Sequence, residues 1–256
     1  LSPWNSDAGQ FDEIGLEFRV FHHRHITCFS LFACIGSLSA KPASVASIDP
    51  ADLVEYETQP QAMRQLIETA LALTKRNLTY TFGSNSPKNS GMDCSGTVQH
   101  VLQSVGVDET PRTSYDFYHW VKKESSLTDA RSAKETNDAV FRKLKPGDLV
   151  FWEGTYNTGK RNPPISHVMI YLGTLKEDGL GVVFGASDGR RFRGKKITGV
   201  SVFDWKIPSA SSPSKLVAFG PVPGLEAKKP EIVAEPISEK KDYLKSLKSG
   251  LDKLFR

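Results

Sequence analysis

The sequence predicts an α+β fold with its helices first and its strands second. Two observations carry that expectation. Between residues 60 and 106, apolar residues recur at intervals of three and four. After residue 145 they alternate instead, in short runs bounded by glycine, proline or polar residues.

Taken in order, the chain opens on an unusual leader. The apolar run ITCFSLFACIGSL (26–38) follows the basic HHRH and precedes the small-residue stretch SLSAKPASVAS. Basic, apolar, then small is the layout of a secretory signal, so residues 1–45 are expected to direct export to the periplasm or cell envelope. Asp7, Asp12, Glu13 and Glu17 do not suit such a leader, and translation is expected to start near Val20, with cleavage between Ser39 and Ala46. A lipidated Cys34 is the weaker alternative. Residues 46–59 read as a linker.

Pro60 then opens a helix through Met63, Leu66, Ile67, Ala70 and Leu73 or Thr74. TYTFGSNSPKNSGMD is a loop. A second helix begins at Cys94, carries Val98, Val101, Leu102 and Val105, and ends at Gly106. SYDFYHWVKK predicts a third. KPGDLVFW, ISHVMIYLG, GLGVVFGAS, GVSVFDW and KLVAFG predict strands, closing a domain over 60–222. A Pro-, Lys- and Glu-rich linker (223–238) leads to a basic amphipathic helix over 239–256, with Leu244, Leu247, Leu251 and Leu254 on one face. That helix suits a membrane surface, a protein partner or the chain's own domain.

No apolar run is long enough to be a membrane span. A formal charge of +4 on 256 residues suits an anionic surface such as a cell wall and does not call for nucleic acid. The three cysteines are Cys28, Cys34 and Cys94. Removal of the leader leaves Cys94 alone, which rules out a disulfide framework and a CxxC metal site.

Cys94 lies in GMDCSG (91–96), at a loop-to-helix junction. Unpaired N–H groups and the helix dipole favour a thiolate there, and Asp93 or Ser95 can cap the first amides. A base is needed. His100 lies about 600° round the same helix and cannot easily turn back. His119 sits in an aromatic segment that suggests packing. His167 shares a strand face with Met169 and Tyr171, with Val168, Ile170 and Leu172 opposite, and is the partner left by elimination.

YTFGSNSPKNSGMDCSGTVQHVLQSVGV, TPRTSYDF, LKPGDLVFW and ISHVMIYLG, in this order, resemble the NlpC/P60 family of papain-like cell-wall cysteine endopeptidases. The resemblance implies a papain-like domain that cuts peptidoglycan stem peptides, commonly between γ-D-glutamate and a diamino acid, without cofactor or metal. It assigns Cys94 as nucleophile and His167 as base. Asp93 and Ser95 would hold the stem peptide, and Tyr80 would point at the catalytic centre as an oxyanion or positioning group. A monomer is expected.

One position departs from the family. The third polar residue that orients the imidazole falls, in VFGAS, on Gly185. Ser187 projects on the same face and Asp188 follows; either, or a water, would have to substitute. Two basic features are also candidates: Arg161, in the insert WEGTYNTGKRNPPIS, as a partner for a substrate carboxylate, and the run GRRFRGKK (189–196), as a positive loop near the site. The rival readings are a catalytically weak wall-binding protein on the same fold and an acyltransferase or amidase.

Overall fold

The computed structural model describes residues 44–225. The leader (save residues 44 and 45), most of the 223–238 linker and the 239–256 helix lie outside the described residues.

Among the described residues, the three predicted helices form. α1 is Gln61–Thr74 and buries Leu66, Ile67, Ala70, Leu71 and Leu73. α2 is Cys94–Ser104, with Val98, Val101 and Leu102 fully buried. Its end is a Schellman turn: Gly106 takes a φ of 80°, its N–H donates to Gln103 and that of Val107 to Leu102. α3 is Ser114–Glu124, capped by the Thr113 hydroxyl, which accepts from the Asp116 N–H at 3.1 Å.

The strands are β1 (Thr79–Tyr80), β2 (Gly91–Met92), β3 (Thr128–Asp129), β4 (Leu149–Glu153), β5 (Ile165–Thr174), β6 (Gly181–Ser187), β7 (Arg191–Phe192), β8 (Lys195–Lys196), β9 (Gly199–Asp204) and β10 (Lys215–Gly220). Six of them form one sheet in the order β3-β10-β4-β5-β6-β9, antiparallel throughout. The fold is therefore α+β with a mostly antiparallel sheet, as the sequence predicts. The short pairs β1–β2 and β7–β8 were beyond period-two reading.

Strand alternation sends two apolar sets to opposite faces. Leu149, Phe151, Val168, Ile170, Leu172 and Phe184 pack against the helices. Val150, Trp152, Met169, Tyr171, Val183 and Phe203 pack on the other face with Phe141 and Trp205. His167 pairs with Trp152 across β4–β5, and a register shift follows immediately between Trp152 and Glu153. Such bulges commonly re-aim side chains beside sites.

Residues 46–59 are not a free linker. Ala46 exchanges two hydrogen bonds with the Ser201 hydroxyl, at 2.5 and 2.9 Å. Asp49 caps a short 3-10 turn, Pro50–Asp52. Leu53 is fully buried and bridges to Leu175. The segment's polar composition concealed one core residue whose partner lies over a hundred positions downstream. Leu53→Ala is expected to destabilise the domain by about 2–5 kcal/mol. This would be read as a lower urea midpoint at unchanged m-value; a solvated linker would give no more than about 0.5 kcal/mol.

Candidate active site

The site is assembled around the loop between β1 and β2, which pair in parallel through Thr79–Gly91 and Tyr80–Met92. Residues 81–90 fold back over the start of α2. The Asp93 N–H donates to the Ser84 carbonyl at 2.9 Å, and the Gly83 N–H donates to Asp93 Oδ2 at 2.9 Å. A Cβ on Gly96 would lie 2.3 Å from the Ser84 carbonyl oxygen, so only glycine lets the loop rest on this first helical turn.

Cys94 is the first residue of α2, behind the N-cap Asp93. Asp93 Oδ1 accepts from the Gly96 N–H at 2.6 Å, the Ser95 hydroxyl at 3.3 Å and Arg112 Nη1 at 3.1 Å. Arg112 Nη2 donates to Oδ2 at 2.7 Å and Nη1 to Ser95 Oγ at 3.1 Å. Arg112 thus holds the residues on both sides of Cys94 in a bidentate grip. Five donors converge on the Asp93 carboxylate, so it holds the loop and helix together instead of standing open for substrate. Ser95 is buried and bound to the same clamp.

The Cys94 sulfur is buried and not in a disulfide. The backbone N–H groups of Val168, Ser95 and Cys94 act to lower its pKa, as a helix start should. The Val168 contact puts the sulfur beside the peptide that follows His167. Burial, and after it the Asp93 charge, outweigh these donors and push the thiol up to about 11. The resting group is therefore a thiol, contrary to the thiolate expected from helix position alone.

His167 is 6% exposed, and its ring meets that of Trp152 edge-on at 5.8 Å. Burial first, and Arg190 second, hold its pKa well below 6.5, so the imidazole is neutral at physiological pH. Its Nε2 is buried with no hydrogen-bond partner among the described residues. Tyr80, half-buried, has its phenol pushed up by burial and by the neighbouring Cys94, Asp93 and Asp188 charges, so it remains a protonated donor.

Residues 77–188 match the model of the NlpC/P60 family. Over those residues this chain is similar to the NlpC/P60 family. The γ-DL-glutamyl hydrolase of Bacillus subtilis (strain 168) is 34% identical over 94 residues, which are 37% of this chain and 18% of that protein. The chain therefore spans about a fifth of that relative's length. A Staphylococcus aureus Mu50 structure described as similar to a lipoprotein of the NLP/P60 family is 22% identical. Its match covers 70% of this chain and 44% of that one, with a TM-score of 0.39. A structure described as a novel NlpC/P60 endopeptidase from Photobacterium damselae subsp. piscicida is 15% identical. That match covers 59% and 39% of the respective chains, with a TM-score of 0.37.

A cleft of about 690 Å³ opens over His167, lined by Tyr80, Phe82, Tyr156, Ser187 and Arg190 among others. Ser187 reaches the cleft, but its hydroxyl accepts from the Gly189 N–H at 3.4 Å and makes no hydrogen bond to His167. Gly185 packs on Met169, where a Cβ would meet the methionine side chain at 3.1 Å. Neither replaces the imidazole-orienting residue, which is why Nε2 is left unpartnered.

Arg161 does not line the cleft. It donates to the Tyr156 hydroxyl at 3.0 Å and the Ile165 carbonyl at 3.4 Å, and lies 5.7 Å from the Tyr115 ring centre. It braces the insert and does not await a substrate. The basic run is split. Arg193 and Gly194, both at positive φ, make the turn of the β7–β8 hairpin, with Arg193 paired to Glu177 and Asp178. Arg190 instead enters the site. Among the described residues no three His, Cys, Asp or Glu side chains come together as a metal site.

Sequence reasoning missed Arg112, Trp152 and the particular importance of Arg190. Arg112 lies in the quoted TPRTSYDF, and Trp152 ends the LKPGDLVFW strand, but nothing local announces their partners.

Among the shifted groups, His167 and Cys94 bound a pH window for stability. Below pH 6.5 the unfolded chain gains a proton on its histidine that native His167 refuses, so stability falls as pH falls. Above pH 9.0 the unfolded cysteine loses a proton that native Cys94 keeps, so stability falls as pH rises. The domain is expected to resist thermal unfolding best between these limits, with His167→Gln reducing the acid limb, to which His100 adds, and Cys94→Ala the alkaline one.

Proposed function

We propose that this protein is an exported cysteine peptidase that hydrolyses peptidoglycan stem peptides, at the bond between γ-D-glutamate and a diamino acid, in wall remodelling or turnover. The observation that carries the reading is the Cys94 sulfur at a helix start, beside the peptide that follows His167, with a cleft open over the imidazole. The γ-glutamyl activity in the name of the Bacillus relative supports the choice of bond.

With Nε2 enclosed and carrying the ring proton, Nδ1 takes the proton of the thiol as sulfur attacks the scissile carbonyl carbon. The high resting pKa of the thiol makes transfer and attack concurrent. Negative charge moves to the carbonyl oxygen, where the Cys94 N–H and the Tyr80 hydroxyl are the donors. The imidazolium returns its proton to the departing amine, leaving a thioester on Cys94. Water gives a proton to Nδ1, attacks the thioester carbon and releases the acid and the thiol.

The unpartnered Nε2 favours one second reading, a catalytically weak wall-binding protein. Incubating purified peptidoglycan with the protein and with Cys94→Ala, then identifying fragments by mass spectrometry, separates the two. New γ-D-glutamyl carboxyl ends with the native protein alone support hydrolysis. Identical fragments from both proteins contradict it, and transfer products in place of free acids would make the enzyme an acyltransferase.

A further inference from the structure

Arg190 follows the turn after β6 and lies with its guanidinium carbon 4.0 Å from the centre of the Trp152 ring. Trp152 is the cross-strand partner of His167 and meets its ring edge-on, so the buried indole links the guanidinium to the imidazole, and Arg190 and His167 both line the cleft. Burial lowers the Arg190 guanidinium to about 10, and the Cys94 charge acts on it in the opposite sense, which puts the cation within electrostatic range of the reacting sulfur.

Among the described residues no carboxylate pairs with it. Arg112 has Asp93, Arg131 has Asp129, Arg193 has Glu177 and Asp178, and Lys206 has Asp204. Asp188, two residues before it in the chain, is exposed and makes no ion pair with it. Arg190 is half-buried; a cation partly withdrawn from water without an anion is costly, and an aromatic face offsets only part of that cost. The remainder is recovered when an anion enters the cleft. The planar fork of arginine fits a carboxylate through two parallel hydrogen bonds. Arg190 lines the same cleft as His167, so an anion held there shares that cleft with the imidazole.

We propose that Arg190 is the specificity-determining residue of this site, selecting substrates that carry an ionised carboxylate adjacent to the scissile amide. The inference rests on the peptidase reading for its substrate, but its test does not require turnover. The full chain carrying Cys94→Ala is titrated calorimetrically with a γ-D-glutamyl–diamino acid peptide. Two further peptides have a carboxamide in place of the carboxylate, one on the acyl half and one on the amine half. The same titrations are run with Arg190→Gln and Arg190→Lys added.

The free acid is expected to bind about 10- to 100-fold tighter than one of the two amides, and which amide is weakened tells which half supplies the carboxylate. Arg190→Gln is expected to erase that preference while leaving the binding of the affected amide within about threefold. Arg190→Lys, which keeps the charge without the fork, is expected to restore part of it. Equal binding of acid and amides, a preference that survives Arg190→Gln, equal losses for acid and amide, or no binding of any peptide would each overturn the proposal. Selective binding of the acid without hydrolysis by the unmodified protein would instead overturn the peptidase reading and leave Arg190 in its role.

Discussion

Cys94→Ala is expected to lower stem-peptide hydrolysis by at least about 10⁴-fold while leaving the thermal unfolding of the domain near pH 7 almost unchanged. The size follows from the mechanism: without sulfur there is no thioester, and no neighbouring hydroxyl inherits the attack. The Ser95 hydroxyl is bound to Asp93 and Arg112, and that of Ser187 faces the Gly189 N–H. The fold survives because what anchors the start of α2 is Asp93, through Gly83, Gly96 and Arg112, and alanine disturbs none of these contacts. Parallel kinetics and melting curves on the two proteins check both halves of the expectation.

The second large effect is that of His167→Gln, expected to lower kcat by about 10²- to 10⁴-fold with KM nearly unchanged, because a general base acts on the reaction and not on the binding of substrate. Two accompanying measurements identify the cause. Since burial and Arg190 keep the imidazole neutral, the acid limb of kcat/KM in the native protein is expected well below pH 6.5. And since the resting sulfur is a thiol held near 11 by burial and Asp93, iodoacetamide alkylation of Cys94 is expected to climb only in the alkaline range, with or without His167. A preformed thiolate–imidazolium pair behaves otherwise: its alkylation starts below pH 7 and is suppressed when the histidine is removed.

Much of the fold and part of the site were legible because they follow from local periodicity. The alternation of ISHVMIYLG put His167, Met169 and Tyr171 on one face of β5. The Asp-Cys-Ser-Gly sequence ahead of an apolar helix put Cys94 at its N-terminus. What escaped reading is what depends on pairing between distant segments. Arg112 reaches Asp93 from 19 residues away, Leu53 fills a gap beside Leu175, and the contacts that link Arg190, Trp152 and His167 draw on a loop and two strands. None of these leaves a periodic trace. The ionisation of Cys94 was misjudged for the same reason. The helix start is visible in sequence, but the burial that overrides it comes from tertiary packing. Asp93 and Arg161, both read as facing substrate, were spoken for by partners within the chain.

One covalent event decides the mechanism most directly. A stem peptide mixed with the protein and quenched in acid within a single turnover is expected to leave its acyl half on the enzyme. Intact mass spectrometry would show that addition, and proteolytic mapping would place it on Cys94, labile to hydroxylamine as a thioester is. Turnover of the same peptide with no adduct, or with an adduct on any other residue, would contradict it.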